Sequence, residues 1–71
     1  MRYKLRTLRL KRQLTLNEVA KAVGLTKAGY GNIETGRRWP SGRVIIRLEQ
    51  FFGIPASELL AESDDQQMIA K

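Results

Sequence analysis

Residues 14–36, LTLNEVAKAVGLTKAGYGNIETG, contain two consecutive sets of helix start and stop signals. In the first set, Thr15 can cap a helix, and Glu18 stands three residues later, where it closes a capping box. Gly24 then occupies the position at which a left-handed residue commonly ends a helix. These signals predict a short helix that begins after Thr15 and ends before Gly24.

A second helix is predicted to follow after a turn of about three residues. Thr26 is a suitable N-cap, and Gly36 supplies the next stop signal. At about 100° per residue, Tyr30 and Ile33 point toward the core. The opposite, exposed face consists of Lys27, Ala28, Gly31, Asn32 and Thr35. Two helices joined in this way cross at roughly 90–120°, so the second can enter a DNA major groove about 12 Å wide.

The flanking segments predict three further helices. Residues 1–13 have the pattern of a basic amphipathic helix, and its apolar positions are Leu5, Leu8 and either Leu10 or Leu14. Ser41 can cap a fourth helix, which Gly53 ends. The apolar positions of that helix are Val44, Ile45, Leu48, Phe51 and Phe52. Ser57 can cap a last short helix that runs through Leu60. We therefore predict an all-α fold of five short helices around one core.

Composition disfavours several classes of function. The chain has no cysteine and no histidine, which removes disulfides, thiolate nucleophiles, zinc fingers and imidazole bases. It also lacks a carboxylate pair and a phosphate-binding glycine loop, so we predict no enzyme activity, no catalytic residue, no metal and no cofactor. The longest apolar run is residues 44–46, whereas a membrane span needs about 18 residues. With no secretory leader at the N-terminus, these features indicate a soluble, cytoplasmic protein.

Positive charge is concentrated in the first fifty residues. Residues 1–50 contain twelve Lys or Arg against three Glu, a net charge of +9, whereas residues 51–71 contain one Lys against four acidic residues, a net charge of −3. A basic body of this kind is attracted to phosphate backbones. The alternative is that the charges only keep a small protein in solution, and the charge distribution by itself does not choose between the two.

Four motifs in a fixed order give the chain a family resemblance. They are Leu-Thr-x-x-Glu-x-Ala from Leu14, Val-Gly-x-Thr from Val23, Ile-Glu-x-Gly from Ile33 and Pro-Ser from Pro40. Together they make residues 5–60 resemble the Cro/CI (Xre) family of phage and bacterial regulators. The resemblance implies a lambda-repressor-like helix-turn-helix domain over residues 5–60, with the helix-turn-helix motif at about residues 16–35. Residues 61–71 are then expected to be an acidic, flexible tail.

The resemblance also implies roles for side chains near the second helix of the motif. Residues that face base edges in the family match Lys27, Ala28 and Asn32. Residues that hold phosphates match Thr26, Thr35 and the loop after Gly36. The chemistry of the first group is suitable, because Lys can donate to guanine, Asn can pair with adenine, and Ala can touch a thymine methyl group. The alternative for each position is an ordinary surface residue.

Further candidates for contact with the DNA backbone lie in the loop and in the first turn of the fourth helix, and they are Arg37, Arg38 and Arg43. Trp39 has two interpretations, a contact with the sugar-phosphate backbone or a cap on the core. By resemblance, Arg9 and Glu34 form a partly buried ion pair that ties the first helix to the end of the third. The alternative is that they are two independent surface charges.

Two features depart from the family pattern. Leu16 stands where the family usually has Gln, whose side chain reaches a phosphate and braces the recognition helix, so that contact is expected to be missing. Gly29 and Gly31 each cost up to about 1 kcal/mol of helix stability relative to Ala. Either Gly29 allows close packing and Gly31 allows a deep approach to the groove, or the helix is loose until DNA orders it.

The function implied by the resemblance is transcriptional regulation, most simply repression by occupying an operator. The implied partner is double-stranded DNA with an inverted repeat, bound by a homodimer without a cofactor. Such a protein is encoded by a bacterium or a phage and lies on the nucleoid when bound. The alternative is an antitoxin, in which a toxin is the protein partner and DNA binding serves autoregulation.

Overall fold

Five α-helices are present in the computed structural model, which describes residues 1–61. They are α1 (Tyr3–Lys11), α2 (Leu16–Ala22), α3 (Lys27–Thr35), α4 (Gly42–Phe52) and α5 (Ala56–Leu59). The predicted all-α class and the predicted order of helices are therefore confirmed. The expected tail, residues 61–71, lies outside the described residues apart from Ala61. No helix within residues 1–61 has the length and apolarity that a bilayer crossing requires.

The start and stop signals of α2 operate as the sequence predicts. The Thr15 hydroxyl accepts a hydrogen bond from the Glu18 N–H at 3.1 Å, and the Glu18 carboxylate accepts one from the Thr15 N–H at 2.8 Å. The capping box is thus closed, which satisfies N–H groups that have no partner inside the helix. Gly24 ends the segment with a φ of 78°, a left-handed conformation that glycine adopts without steric cost.

Both ends of α3 are also fixed by caps. The Thr26 hydroxyl accepts from the Gly29 N–H at 3.0 Å, and Gly36 forms a left-handed C-cap with a φ of 91°. Only Val23 to Thr26 separate α2 from α3, and these two helices make the most extensive helix–helix contact in residues 1–61. The short turn therefore fixes how α3 is presented to solvent.

The predicted cap of α5 is wrong. Ser57 does not cap it, because the helix begins at Ala56 and Pro55 occupies the N-cap position without a side-chain hydrogen bond. The Ala56 N–H instead donates to a Glu49 carboxylate oxygen at 2.7 Å. Glu49 belongs to α4, so a tertiary contact replaces the local cap that the sequence indicated. The prolyl ring also holds φ at −59°, which leads directly into a helix.

One core unites all five helices. Its buried apolar residues are Leu5, Val19, Ala20, Val23, Tyr30, Ile33, Val44, Leu48, Phe52, Leu59 and Leu60. The choice left open near α1 is settled, since Leu10 is 49% exposed whereas Leu14 packs against the core. Arg12 adds a polar tie, because its guanidinium donates to the carbonyl oxygens of Phe51 and Phe52 at 3.0 and 2.9 Å. That contact satisfies carbonyl groups at the C-terminal end of α4.

Candidate nucleic-acid interface

The α3 helix has two chemically different sides. Its buried side carries Tyr30, Ile33 and Glu34. On the other side, the predicted reading positions Lys27 and Ala28 are exposed, whereas Asn32 is half-buried. Because no other part of residues 1–61 covers these three residues fully, a second molecule can reach them from one direction.

An open groove of about 420 Å³ runs along this outer side, between α3 and the start of α2. Residues that line it include Leu16, Lys27, Ala28, Gly31, Asn32 and Arg37. Leu16 is half-buried and forms an apolar wall where the family usually has a polar side chain. The structure therefore brings the predicted base-reading residues together and adds Leu16 to them.

Two threonines mark the ends of α3. Both Thr26 and Thr35 are exposed. Thr26 uses its hydroxyl oxygen as the helix cap, and the hydroxyl proton is then available to an incoming acceptor. The Thr35 hydroxyl donates to the Asn32 carbonyl oxygen at 3.2 Å, which leaves its oxygen able to accept a hydrogen bond.

A basic rim follows the C-terminal end of α3. The backbone N–H groups of Arg37 and Arg38 both donate to the Asn32 carbonyl oxygen, at 2.9 and 3.1 Å, so the loop folds back tightly on the helix. The side chains of both arginines are exposed, as is that of Arg43 in the first turn of α4. The rim thus presents three guanidinium groups to solvent beside the groove.

The expected ion pair between Arg9 and Glu34 is present. The Arg9 Nε and Nη2 atoms donate to the two Glu34 carboxylate oxygens at 2.9 and 3.0 Å, and Nη1 donates to the Leu14 carbonyl oxygen at 2.9 Å. The side chains are only 11% and 5% exposed, and the hydrogen bond to Glu34 raises the pKa of Arg9. This bidentate pair links α1 to the end of α3, so it orients the helix that carries the candidate site.

A model of the helix-turn-helix family matches residues 5–59 of the chain. The chain belongs to this family. The predicted lambda-repressor-like helix-turn-helix fold is confirmed by this match together with the five helices.

Two curated relatives support the same assignment. The transcriptional repressor RstR of the cryptic phage CTXphi, from Vibrio cholerae, is 36% identical over 61 residues, which cover 86% of this chain and 55% of the repressor. The chain therefore spans little more than half the length of that relative. An uncharacterized HTH-type transcriptional regulator of Methanocaldococcus jannaschii is 29% identical over 66 residues, which cover 93% of this chain and 100% of the regulator. No solved structure matches the chain significantly.

One of the two interpretations of Trp39 in this helix-turn-helix domain, a cap on the core, is wrong. Its side chain is 66% exposed, so it does not cap the core. The ring lies against the guanidinium group of Arg2, with 5.0 Å between the guanidinium carbon and the ring centroid. This contact places Trp39 beside the basic rim, where a cation–π interaction holds it on the surface.

Arg2 is the residue of this helix-turn-helix domain that sequence reasoning missed. It is only 2% exposed, and its backbone N–H donates to the Glu34 carbonyl oxygen at 2.8 Å. Its guanidinium donates to the carbonyl oxygens of Ile33 and Arg38. A cation at this position complements the negative end of the α3 dipole and anchors the loop that follows. No local pattern could reveal this role, because the partners lie more than thirty residues away along the chain.

Among residues 1–61, no group of three or more His, Cys, Asp or Glu side chains is arranged to hold a metal ion. What the described site offers is hydrogen bonding, positive charge and an apolar groove. All three are properties used in recognising duplex DNA.

Proposed function

We propose that this helix-turn-helix protein binds specific sites in double-stranded DNA through α3 and represses transcription by occupying them. The observation that carries the proposal is the uncovered outer side of α3, which is bordered by the basic rim. Support comes from the relative that is named a phage transcriptional repressor. Repression by occupancy needs a stable complex rather than a reaction, so we assign the protein no enzyme activity and no cofactor. We place its action in the cytoplasm, where its DNA is located.

Base reading is assigned to the residues at the groove. Lys27 would donate to guanine O6 and N7, and Asn32 would pair with adenine through two hydrogen bonds. Ala28 would contact a thymine methyl group. Each of these contacts depends on the position of α3, which is held by the Arg9–Glu34 ion pair.

Positioning on the DNA backbone is assigned to residues at the ends of α3 and on the basic rim. These are Thr26, Thr35, Arg37, Arg38, Trp39 and Arg43. Guanidinium, indole N–H and hydroxyl groups all donate to phosphate oxygens, and such contacts fix the orientation of a protein without reading sequence. The Thr35 hydroxyl would turn from the Asn32 carbonyl oxygen to donate to a phosphate. The exposure of all six residues supports this assignment.

A twofold dimer is the arrangement that we propose for the bound protein. Two copies of α3 would enter successive major grooves, with half-site centres about 34 Å apart. The operator would then be an inverted repeat, because its symmetry follows that of the dimer.

Selection of bound duplexes from a random-sequence pool, at stated salt, tests these proposals together. We expect an inverted repeat with half-sites spaced by about 10 bp or a multiple of it. An asymmetric site bound by one protomer would refute the dimer, and failure to enrich any sequence would refute specific binding. The antitoxin hypothesis has no specific support in residues 1–61, and co-purification of a toxin-like protein would be needed to favour it.

A further inference from the structure

The two glycines of α3 differ in the space beside them. A Cβ atom at Gly29 would lie 3.1 Å from the Thr26 hydroxyl oxygen, which is the N-cap of the helix. A Cβ atom at Gly31 would meet no atom of residues 1–61 within 4 Å. Thr26 therefore crowds a side chain at position 29, whereas residues 1–61 leave the space beside position 31 open.

The missing side chain at Gly31 weakens α3. This residue lies in the interior of the helix, and its φ is not among the positive values of residues 1–61. Alanine would fit there without strain and is the better helix former. The space beside Gly31 is therefore open to a second molecule.

That open space belongs to the groove beside α3. Gly31 lines the groove with Leu16 and Ala28, and none of the three contributes a polar side-chain atom. Glu34 also lines the groove, but its carboxylate is paired with Arg9. A hydrocarbon group that enters between Leu16 and Gly31 is thus removed from water without burying an unpaired charge.

We propose that this groove reads a thymine, by receiving the C5-methyl group of the base between Leu16 and Gly31. The inference rests on the proposed function, since it requires α3 to lie in the major groove. Thymine is the standard base that presents a methyl group there. Asn32 lines the same groove and is suited to an adenine beside it. Leu16 has exchanged the phosphate contact expected of Gln for an apolar contact with a base.

Replacement of single thymines by uracil in the selected duplex tests the proposal, because uracil lacks only the methyl group. At one thymine in each half-site, we expect uracil to weaken binding about fourfold, which corresponds to the ~0.8 kcal/mol gained by burying one such carbon. Thymines whose methyl group meets neither this groove nor Ala28 should give smaller changes. A selected duplex in which every thymine tolerates uracil would overturn the methyl-binding groove and leave specific binding intact.

The Gly31→Ala variant provides the matching change in the protein. It should raise the melting temperature by about 4–8 °C, because alanine stabilises the helix. It should also fill the space for the methyl group, so that thymine and uracil duplexes bind equally well. Gly42→Ala is the control, because it makes the same chemical change in α4, outside the groove, where a Cβ atom would meet no atom of residues 1–61 within 4 Å, and it should keep the fourfold preference for thymine.

The outcomes separate this inference from the proposed function. Failure to select any preferred duplex would overturn both. A selected duplex together with a Gly31→Ala variant that still prefers thymine by fourfold would overturn the groove alone. Loss of the preference in Gly31→Ala, with its retention in Gly42→Ala, would establish Gly31 as a residue that determines specificity.

Discussion

Asn32 and the rim arginines make different kinds of contact in the proposed complex. Asn32 would bind a base edge, whereas Arg37 and Arg38 would bind phosphates. Base contacts depend on sequence and release few counterions, while phosphate contacts release counterions on any duplex. Substitutions at the two places should therefore change different measured quantities.

Asn32→Ala should lower affinity for the preferred site and have little effect on random DNA. We expect a loss of about 1–3 kcal/mol on the preferred site with an almost unchanged dependence of affinity on salt, because a base contact alone is removed. Titrations of both duplexes at several salt concentrations measure this. Equal losses on the two duplexes would show that Asn32 does not read a base.

The double variant Arg37→Ala and Arg38→Ala should weaken binding to preferred and random DNA alike. The slope of log K against log salt should become shallower by about 1 for each phosphate contact that is lost. The ratio of the two affinities should stay close to that of the unmodified protein. If this ratio collapses instead, the arginines contribute to sequence readout.

Individual residues near α3 were predictable where their roles are local. The spacing of Tyr30 and Ile33 identified the buried side of the helix, and Thr26 and Gly36 identified its ends. The sequence leaves both interpretations of Trp39 open, because its surroundings depend on Arg2, 37 residues earlier in the chain. Leu16 was recognised only as a missing phosphate contact, since its place in the groove depends on the packing of α2 against α3.

At the scale of elements, the Arg9–Glu34 pair joins α1 to α3. Glu34→Ala would leave a nearly buried guanidinium group without its carboxylate, and removal of one member of such a pair costs about 3 kcal/mol. Urea denaturation should show this loss in the free energy of unfolding. A loss below about 0.5 kcal/mol would indicate that the pair is worth no more than a surface salt bridge.

The contact between the N-terminal segment and the end of α3 depends on Arg2. Arg2→Ala should accelerate hydrogen exchange at the amides of Gly36 and Arg37, which close the turn after α3. It should also weaken binding to all duplexes, because the basic rim loses its support. Arg6→Ala is the control, since Arg6 is an exposed residue of α1 and its substitution removes the same charge.

The two variants distinguish support of the turn by Arg2 from a simple effect of net charge. If Arg6→Ala weakens binding as much as Arg2→Ala does, the effect is one of net charge. Unchanged exchange at Gly36 in Arg2→Ala would likewise show that the turn is stable without the guanidinium group.

Three of the five helices, α2, α3 and α4, are predictable at close to their observed positions because their caps lie within three residues of the groups that they bind. Thr15, Thr26 and Ser41 each accept from a backbone N–H three residues ahead. The start of α5 differs from the prediction because its backbone N–H bonds to Glu49, seven residues earlier and on another helix. Local signals identify helices well, and a helix end that depends on a tertiary contact is placed less well.

At the scale of the whole molecule, the buried phenol of Tyr30 makes stability depend on pH in alkaline solution. Burial raises the pKa of Tyr30, and the neighbouring Glu34 carboxylate raises it further. The unfolded chain ionises this group above about pH 10, whereas the folded protein keeps it protonated. The raised pKa of Tyr30 therefore leaves the free energy of unfolding unchanged below about pH 10 and lowers it as the pH rises above that value.

Tyr30→Phe should remove this dependence. Between about pH 9.5 and pH 11.5, the free energy of unfolding should fall more steeply for the unmodified protein than for the variant. Tyr3→Phe is the control, because it makes the same chemical change at a side chain that is 38% exposed. Parallel curves for Tyr30→Phe and the unmodified protein would contradict the prediction.

Trp39 is the single tryptophan in the chain, and it stands on the surface beside the basic rim. Indole emission responds to solvent contact and to nearby cations, and here both are set by Arg2 and by whatever approaches the rim. The protein thus contains an intrinsic optical probe next to its proposed DNA-binding surface. Stopped-flow mixing with duplex can follow association and dissociation in real time, without a dye attached to either partner.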